Sequence, residues 1–330
     1  MSTTPEGDSG VWGLGTGKRR ATARCASRRR PWRIAFWAGA ALLLLTGHAS
    51  ARTVTDMLGR AVTVPNRPLR LVSLAPSLTE TVFALGRESW LVGVTAFCDY
   101  PPAARSLPRV GGMATPNLEE VVARRPDLVL TTAEGNSREF LGQMDRLGIP
   151  TFALRPDGSE AMLQSIAALG RVLDAEPAAA GLVASIRTRM DSIGERVAGR
   201  PRPRVLYLIW TDPLIAAGPR SFLNDLIALA GGQSVVTERT VPYPRVNWEQ
   251  IVGWAPEVIL IAGHGENRAP EPAALPPSWD VWQAVPAIRT RRVLVIPDDT
   301  VLRPGPRVGD GLARLAQAIQ PGAVPSGAAR

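Results

Sequence analysis

Residues 117–130 read NLEEVVARRPDLVL and residues 247–260 read NWEQIVGWAPEVIL, and the two align without a gap at an offset of 130. Asn117 matches Asn247, Glu119 matches Glu249, Pro126 matches Pro256 and Leu130 matches Leu260. Each copy encodes one unit. Asparagine is a favoured helix N-cap, and Glu120 or Gln250 three residues on suits a capping box. The helix must stop ahead of the proline, whose ring disfavours helical geometry in the residue before it. An apolar run follows that suits a buried strand. A helix–strand unit used twice calls for two lobes of one design.

Around the repeat, short apolar runs alternate with helical patterns. Strands are expected at 69–74, 90–94, 127–132 and 150–154, with helices at 77–86, 117–125 and 136–147. In the second half the strands fit 204–210, 257–262 and 292–296, and the helices 221–230, 247–254 and 308–319. Such alternation gives βαβ units and a mostly parallel sheet. Residues 53–64 read as two short strands around a turn at Gly59. Residues 158–199 hold no strand pattern: 159–173 is helical by spacing, and Pro177 then stands where a first helical turn tolerates proline. From there 177–198 continues as one amphipathic helix of about 33 Å, long enough to join two lobes as a stiff connector.

The chain begins with a basic stretch at 18–33, an apolar run at 34–46 and the small-x-small pattern Ala49-Ser50-Ala51. An apolar run this short falls below the roughly 20 residues of a membrane span and fits a secretory signal peptide cut after Ala51. The alternative is an uncleaved anchor. The arginine runs leave both the general and the twin-arginine export routes open. The expected plan is a signal peptide at 1–51, an N-terminal lobe at 52–157, a connecting helix at 158–199, a C-terminal lobe at 200–320 and a flexible tail at 321–330.

Composition removes several functions. Of the formal charge of +9, +6 lies in residues 1–51, with eight basic and two acidic residues, so +3 remains for the body. No basic footprint for nucleic acid is left. His48, His264, Cys25 and Cys98 are the only residues of their kinds. A body holding one histidine and one cysteine builds neither a multi-ligand zinc site nor an internal disulfide. The single lysine, Lys18, lies in the leader, so a phosphate-binding GxxxxGK[ST] loop is absent. GxSxG and GxGxxG motifs are absent too, and no enzymatic activity or cofactor is expected.

Glu120 and Gln250 have local work as capping partners. Glu119 and Glu249 sit one position earlier and point elsewhere. A glutamate in a first helical turn complements the helix dipole; alternatively, two equivalent lobes each present one carboxylate to a two-fold partner. Ser77-Leu78-Thr79-Glu80 also reads as a capping box, which makes Glu80 structural.

The segments LVSLAPSLTE (71–80), VTAFCDYPP (94–102), LPRVGG (107–112) and NLE (117–119) resemble the periplasmic cobalamin receptors of bacterial vitamin importers. The second half matches at 210–213, Gly231-Gly232, VPYPRVNWE (241–249) and 303–307, so the resemblance covers about 60–320. Haem and siderophore receptors share the frame and remain the alternative. The resemblance implies an α/β fold of two Rossmann-like lobes joined by a long rigid helix, with one ligand cleft between them and little domain closure. It also implies that Glu119 and Glu249 meet arginines on the two permease subunits of an ABC importer, a charge-assisted contact that fixes orientation. The expected location is the periplasm.

Cobalamin presents an apolar corrin face and amide-bearing edges, and a matching cleft needs flat apolar walls with a few polar rim groups. By the resemblance, Phe97 and Tyr243 meet the corrin from the two lobes, and Arg303 is a polar contact. Trp210 ends a strand and should lie near the cleft, because α/β ligands gather at strand carboxyl ends. Each has a structural alternative: core for Trp210, pairing with Asp298 or Asp299 for Arg303, loop stiffening for Tyr243. Met113 and Thr132 stand where familiar cobalamin receptors carry tryptophans, and Met113 offers soft packing against a macrocycle. Tyr100 is the residue a haem reading would use, as a phenolate ligand. His264 follows a strand and could reach the cleft. Arg138, Arg245 and Arg303 gathered there would favour an anionic ligand. Cys98 reads as a semi-buried thiol.

Overall fold

The computed structural model describes residues 51–263, 284–297 and 299–324. The leader at 1–50, His264 and Asp298 lie outside the described residues. Strands β1 (Ala51–Thr55) and β2 (Ala61–Pro65) form an antiparallel hairpin that turns through Gly59 at φ +79°.

Four parallel strands follow: β3 (Leu71–Ser73), β4 (Leu91–Val94), β5 (Leu128–Thr132) and β6 (Thr151–Leu154). They lie in the order β4-β3-β5-β6. Helices α1 (Pro76–Ala84), α2 (Leu118–Ala123) and α3 (Arg138–Arg146) make the crossovers. The second sheet holds β7 (Arg204–Thr211), β8 (Leu214–Ala216), β9 (Gln233–Ser234), β10 (Val258–Ala262) and β11 (Val293–Ile296). Setting aside the antiparallel β8, its order β9-β7-β10-β11 is that of the first sheet. The repeat read in 14 letters is thus a repeat of topology.

The repeated unit folds as its letters direct. The Asn117 side chain accepts the Glu120 N–H at 3.1 Å. Asn247 accepts that of Gln250 at 2.9 Å, ahead of helix α7 (Trp248–Trp254). Gln250 closes the box by accepting the Asn247 N–H at 2.8 Å. Glu120 does not: its carboxylate turns to Arg124 at 2.9 Å, one helical turn on, where the second copy has the neutral Trp254. Both helices lead into a left-handed residue, Arg125 at φ +46° and Ala255 at φ +43°. Asp127 then accepts the N–H groups of Leu69 and Arg70, and Glu257 that of Arg204, so an acidic residue anchors the start of the first strand in each sheet.

The connecting segment is a helix pair, α4 (Ser159–Val172) and α5 (Glu176–Val197), rather than one helix. They separate at 173–175, where Asp174 takes φ +53°. They pack so closely that a Cβ on Gly170 would lie 2.4 Å from that of Ala179. α5 buries Ala179, Ile186, Met190, Ile193 and Val197, a stripe at helical spacing. It packs on α6 (Phe222–Leu229) and α9 (Val308–Ile319), which follows the short α8 (Pro286–Arg289) in the chain, and Arg189 pairs with Asp310 at 2.6 Å. At the other end of the pair, Asp225 of α6 accepts the Ser159 N–H at 2.9 Å. Buried apolar residues from one face of each sheet and from α5 form one continuous cluster, and the opposite faces form two separate clusters. The tail expected to fray from Pro321 is still packed at Val324, which is buried in the continuous cluster.

Candidate functional site

Two loops that carry exposed aromatic side chains make the walls. In the N-terminal lobe, residues 95–101 follow β4. Cys98 is wholly buried beneath them, between the hydroxyls of Thr79 at 3.1 Å and Thr95 at 3.2 Å. It is a core thiol, deeper than expected. Arg109 donates to the carbonyls of Thr95 at 2.8 Å and Cys98 at 2.9 Å, and the Ala96 N–H bonds the Gly111 carbonyl at 2.9 Å. A loop pinned from below at 96 and 98 presents Phe97 outward, where the ring is 60% exposed.

Met113 lies on the next loop. Asn136 holds it in place, donating to the Met113 carbonyl at 2.7 Å and accepting the Thr132 N–H at 2.9 Å. The Thr132 hydroxyl accepts the Gly135 N–H at 3.2 Å, and its side chain is buried. Of the two positions that depart from the tryptophan pattern, only Met113 faces outward. Gly135 is needed here, since a Cβ would sit 2.6 Å from the Thr132 hydroxyl and 3.2 Å from the Met113 sulfur.

In the C-terminal lobe, residues 242–246 run beside β8. The Gly218 N–H bonds the Pro242 carbonyl at 2.8 Å, Ala216 bonds Pro244 at 3.0 Å, and Val246 bonds Leu214 at 3.1 Å. Tyr243 is carried on this added edge. The β7–β8 register slips between Leu208 and Trp210, so Trp210 pairs with Ile215, which in turn bridges Arg245. Directly paired residues share a face, which sets Trp210, Ile215 and Arg245 in one row. Trp210 is therefore not a core residue: Tyr100 and Trp210 are each 44% exposed, Tyr243 37% and Met113 36%. Val241, also exposed, joins this set and was not singled out by its sequence context.

Between the lobes lies a charged joint. Glu80, 3% exposed, accepts from Arg303 Nη1 at 3.1 Å, Arg307 Nε at 2.8 Å and Arg307 Nη2 at 2.6 Å. Arg303 also donates to Asp99 and to Asp299, both at 2.7 Å, and to the Phe97 carbonyl at 3.3 Å. The Arg307 guanidinium stacks on the Tyr100 ring, 3.9 Å from its centroid. Gly305 lets the backbones approach, since a Cβ there would come 3.3 Å from Ser77. Glu80 is thus no capping residue. The helix begins two residues earlier than the SLTE pattern suggests, with Ala75 at the N-cap and Pro76 in the first turn. Ser77 lies inside it, and Glu80 is free to reach the other lobe. Arg303 takes the pairing alternative, with Asp299.

Electrostatics follow the geometry. Burial alone would raise the Asp99 carboxyl, but the Arg303 hydrogen bond and charge outweigh it and hold it below its ordinary value. Glu134 is pushed up, mainly by burial and then by Asp157, although Arg155 and Arg220 oppose this. Burial, with the Glu134 charge added, raises the Tyr243 hydroxyl as well. Arg138 and Arg245 are exposed, and Arg245 shares the row of Trp210 on the second wall. Glu119 and Glu249 are exposed on α2 and α7, and neither carboxylate has an ion pair among the described residues. No group of three or more His, Cys, Asp or Glu is placed to hold a metal among the described residues. Two hollows of about 340 and 370 Å³ lie on the β1–β2 hairpin side, apart from these walls.

Two lobes of one topology, a helix pair packed against both and exposed aromatics at strand carboxyl ends define a two-lobe binding protein. Residues 71–300 match the family of periplasmic binding proteins, and the chain belongs to that family. The vitamin B12-binding protein of Pectobacterium atrosepticum is 31% identical over 246 residues, 73% of this chain and 85% of that protein. Among solved structures, the periplasmic vitamin B12 binding protein BtuF of Vibrio cholerae has a TM-score of 0.68 at 26% identity, covering 77% of this chain and 97% of that one. A periplasmic haem-binding protein from Pseudomonas aeruginosa has a TM-score of 0.68 at 31% identity, covering 78% and 95%. The expected family and two-lobe α/β fold are borne out.

Proposed function

We propose that the chain is an exported receptor that captures a corrinoid, cobalamin, between its lobes and delivers it to an ABC importer. The observation that carries this is the set of exposed, uncharged, mostly flat side chains on the two walls: Phe97 and Met113 from one lobe, Trp210 and Tyr243 from the other. Such walls suit a corrin face and add stacking beyond simple area burial. The arginines nearest Phe97 and Tyr100 are engaged by carboxylates, which disfavours capture of an anionic ligand through them. The chain acts by binding, not turnover, and needs no cofactor of its own. The haem alternative rests on Tyr100, which is exposed although its ring stacks on Arg307.

Glu119 and Glu249 serve as the permease contacts. They occupy matched positions in the repeat, are exposed, and sit in first turns with no ion pair among the described residues. The leader up to Ala51 is removed on export to the periplasm, a cut that takes the first residue of β1 and leaves Arg52–Thr55. The test is a pair of variants assayed for binding and for uptake. Glu119→Ala with Glu249→Ala should leave cyanocobalamin affinity unchanged and abolish uptake. Loss of affinity in that pair would contradict the docking role.

A further inference from the structure

We propose that Glu80 is a positioning residue for the ligand walls: through Arg303 and Arg307 of the C-terminal lobe, it fixes the N-terminal loop that carries Phe97 and Tyr100. The inference rests on the proposed function only in taking these walls as the ligand site. Glu80 lies on α1 of the first lobe, whereas both arginines lie on the segment between β11 and α9 of the second. The arginines make four kinds of contact with the first lobe: the Glu80 carboxylate, the Asp99 carboxylate, the Phe97 carbonyl and the Tyr100 ring. Three of the four fall on residues 97–100. The loop that presents the aromatic wall is therefore held from above by the opposite lobe, while Cys98 and Arg109 hold it from below.

Glu80 is the element that makes this arrangement stable. Its two oxygens receive three of the five bonds that the two arginines give to carboxylates, and it is the only carboxylate paired with Arg307 among the described residues. The two guanidinium groups repel one another, and arginine does not relieve this by losing its proton. Without the Glu80 charge, Arg303 keeps Asp99 and Asp299, but Arg307 has no anion to hold it over Tyr100. The loop then keeps the Arg303 contacts at Phe97 and Asp99 but loses the hold on Tyr100, and the ionic joint between the lobes is reduced to the Arg303–Asp99 pair. A residue 17 positions before Phe97 and buried away from solvent would in this way set how the cleft is presented.

The chain has three tyrosines, Tyr100 at the joint, Tyr207 in the core and Tyr243 on the other wall, which makes a ligand-free spectroscopic test direct. The protein is labelled with 3-fluorotyrosine and its fluorine NMR spectrum recorded without any ligand. The three resonances are assigned by single Tyr→Phe replacements. In Glu80→Gln, which keeps the side-chain shape and removes the charge, the Tyr100 resonance should shift or broaden while that of Tyr207 stays in place. Arg307→Lys, which keeps the charge but loses the bidentate contact and the flat stacking surface, should move the same resonance and serves if Glu80→Gln fails to fold. In parallel, cyanocobalamin affinity should fall at least tenfold in both. A Tyr100 resonance unchanged in a folded Glu80→Gln or Arg307→Lys protein would overturn the proposal, whatever the ligand proves to be. A moved Tyr100 resonance with no cyanocobalamin or hemin binding by the native protein would leave the joint standing and refute the ligand reading instead.

Discussion

Replacing Glu80 with alanine tests how strongly the joint holds the fold. The carboxylate is 3% exposed and accepts three bonds from guanidinium groups. Removing one partner of a buried ion pair costs about 3–5 kcal/mol, because the charge left behind is desolvated and uncompensated. Here the lower end applies. Arg303 retains two carboxylates at 2.7 Å, and Arg307 is partly open to water. A loss of about 3 kcal/mol lowers the melting temperature by about 6–12 °C for a chain of this size. The matched control is Arg187→Ala, which removes a pair of the same length, 2.8 Å to Glu160, between side chains that are half exposed. Exposed pairs contribute about 0–1 kcal/mol. Chemical denaturation of both variants beside the native protein gives the comparison. If Glu80→Ala cost no more than Arg187→Ala, burial would not be the quantity that decides the strength of these pairs, and the account of the joint would fail.

Three further outcomes follow from the geometry. The Asp99 carboxyl is held below its ordinary value by Arg303, with Arg307 contributing, so its stabilising share is complete above about pH 4 and declines as pH falls through the depressed value. Asp99→Asn should flatten the acid limb of the stability curve in that range and leave it unchanged at neutral pH in slope; an unaltered acid limb would refute this. Asn247→Ala should destabilise by about 1 kcal/mol and Asn117→Ala by somewhat less, because only the second copy has the reciprocal box, and equal losses in urea unfolding would refute the distinction. Phe97→Ala and Tyr243→Ala should each weaken cyanocobalamin binding by about tenfold or more with stability nearly unchanged, since both rings are exposed and removing them leaves no cavity; a stable variant with native affinity would take that ring out of the site.

The repeat was legible because its letters act locally. Asparagine caps, proline stops and apolar runs operate over a few residues, and the helix at 308–319 has the bounds its spacing implied. The acidic anchors Asp127 and Glu257 were legible in principle, as they share the offset of 130, but their work is done on strands more than 50 residues away. Strand β8 and the edge at 242–246 escaped because three-residue pairings carry no periodic signal. Glu80 was misread for a specific reason. SLTE satisfies a capping pattern, yet Pro76 already marks the first turn, and that earlier signal wins. The contact to Arg303 and Arg307 joins residues more than 220 positions apart, which no local pattern encodes. Phe97 and Tyr243 came from the family resemblance and Trp210 from its place at a strand end, and the structure supplied the physical cause of exposure: a pinned loop for Phe97 and a register slip for Trp210.

The most direct test of the ligand reading is calorimetric titration of the mature protein with cyanocobalamin and, separately, with hemin, followed by absorbance. One-to-one, tight binding of cyanocobalamin with weak or no hemin binding is the predicted result. Tight hemin binding with a phenolate-type spectrum, lost in Tyr100→Phe, together with no cyanocobalamin binding, would contradict it.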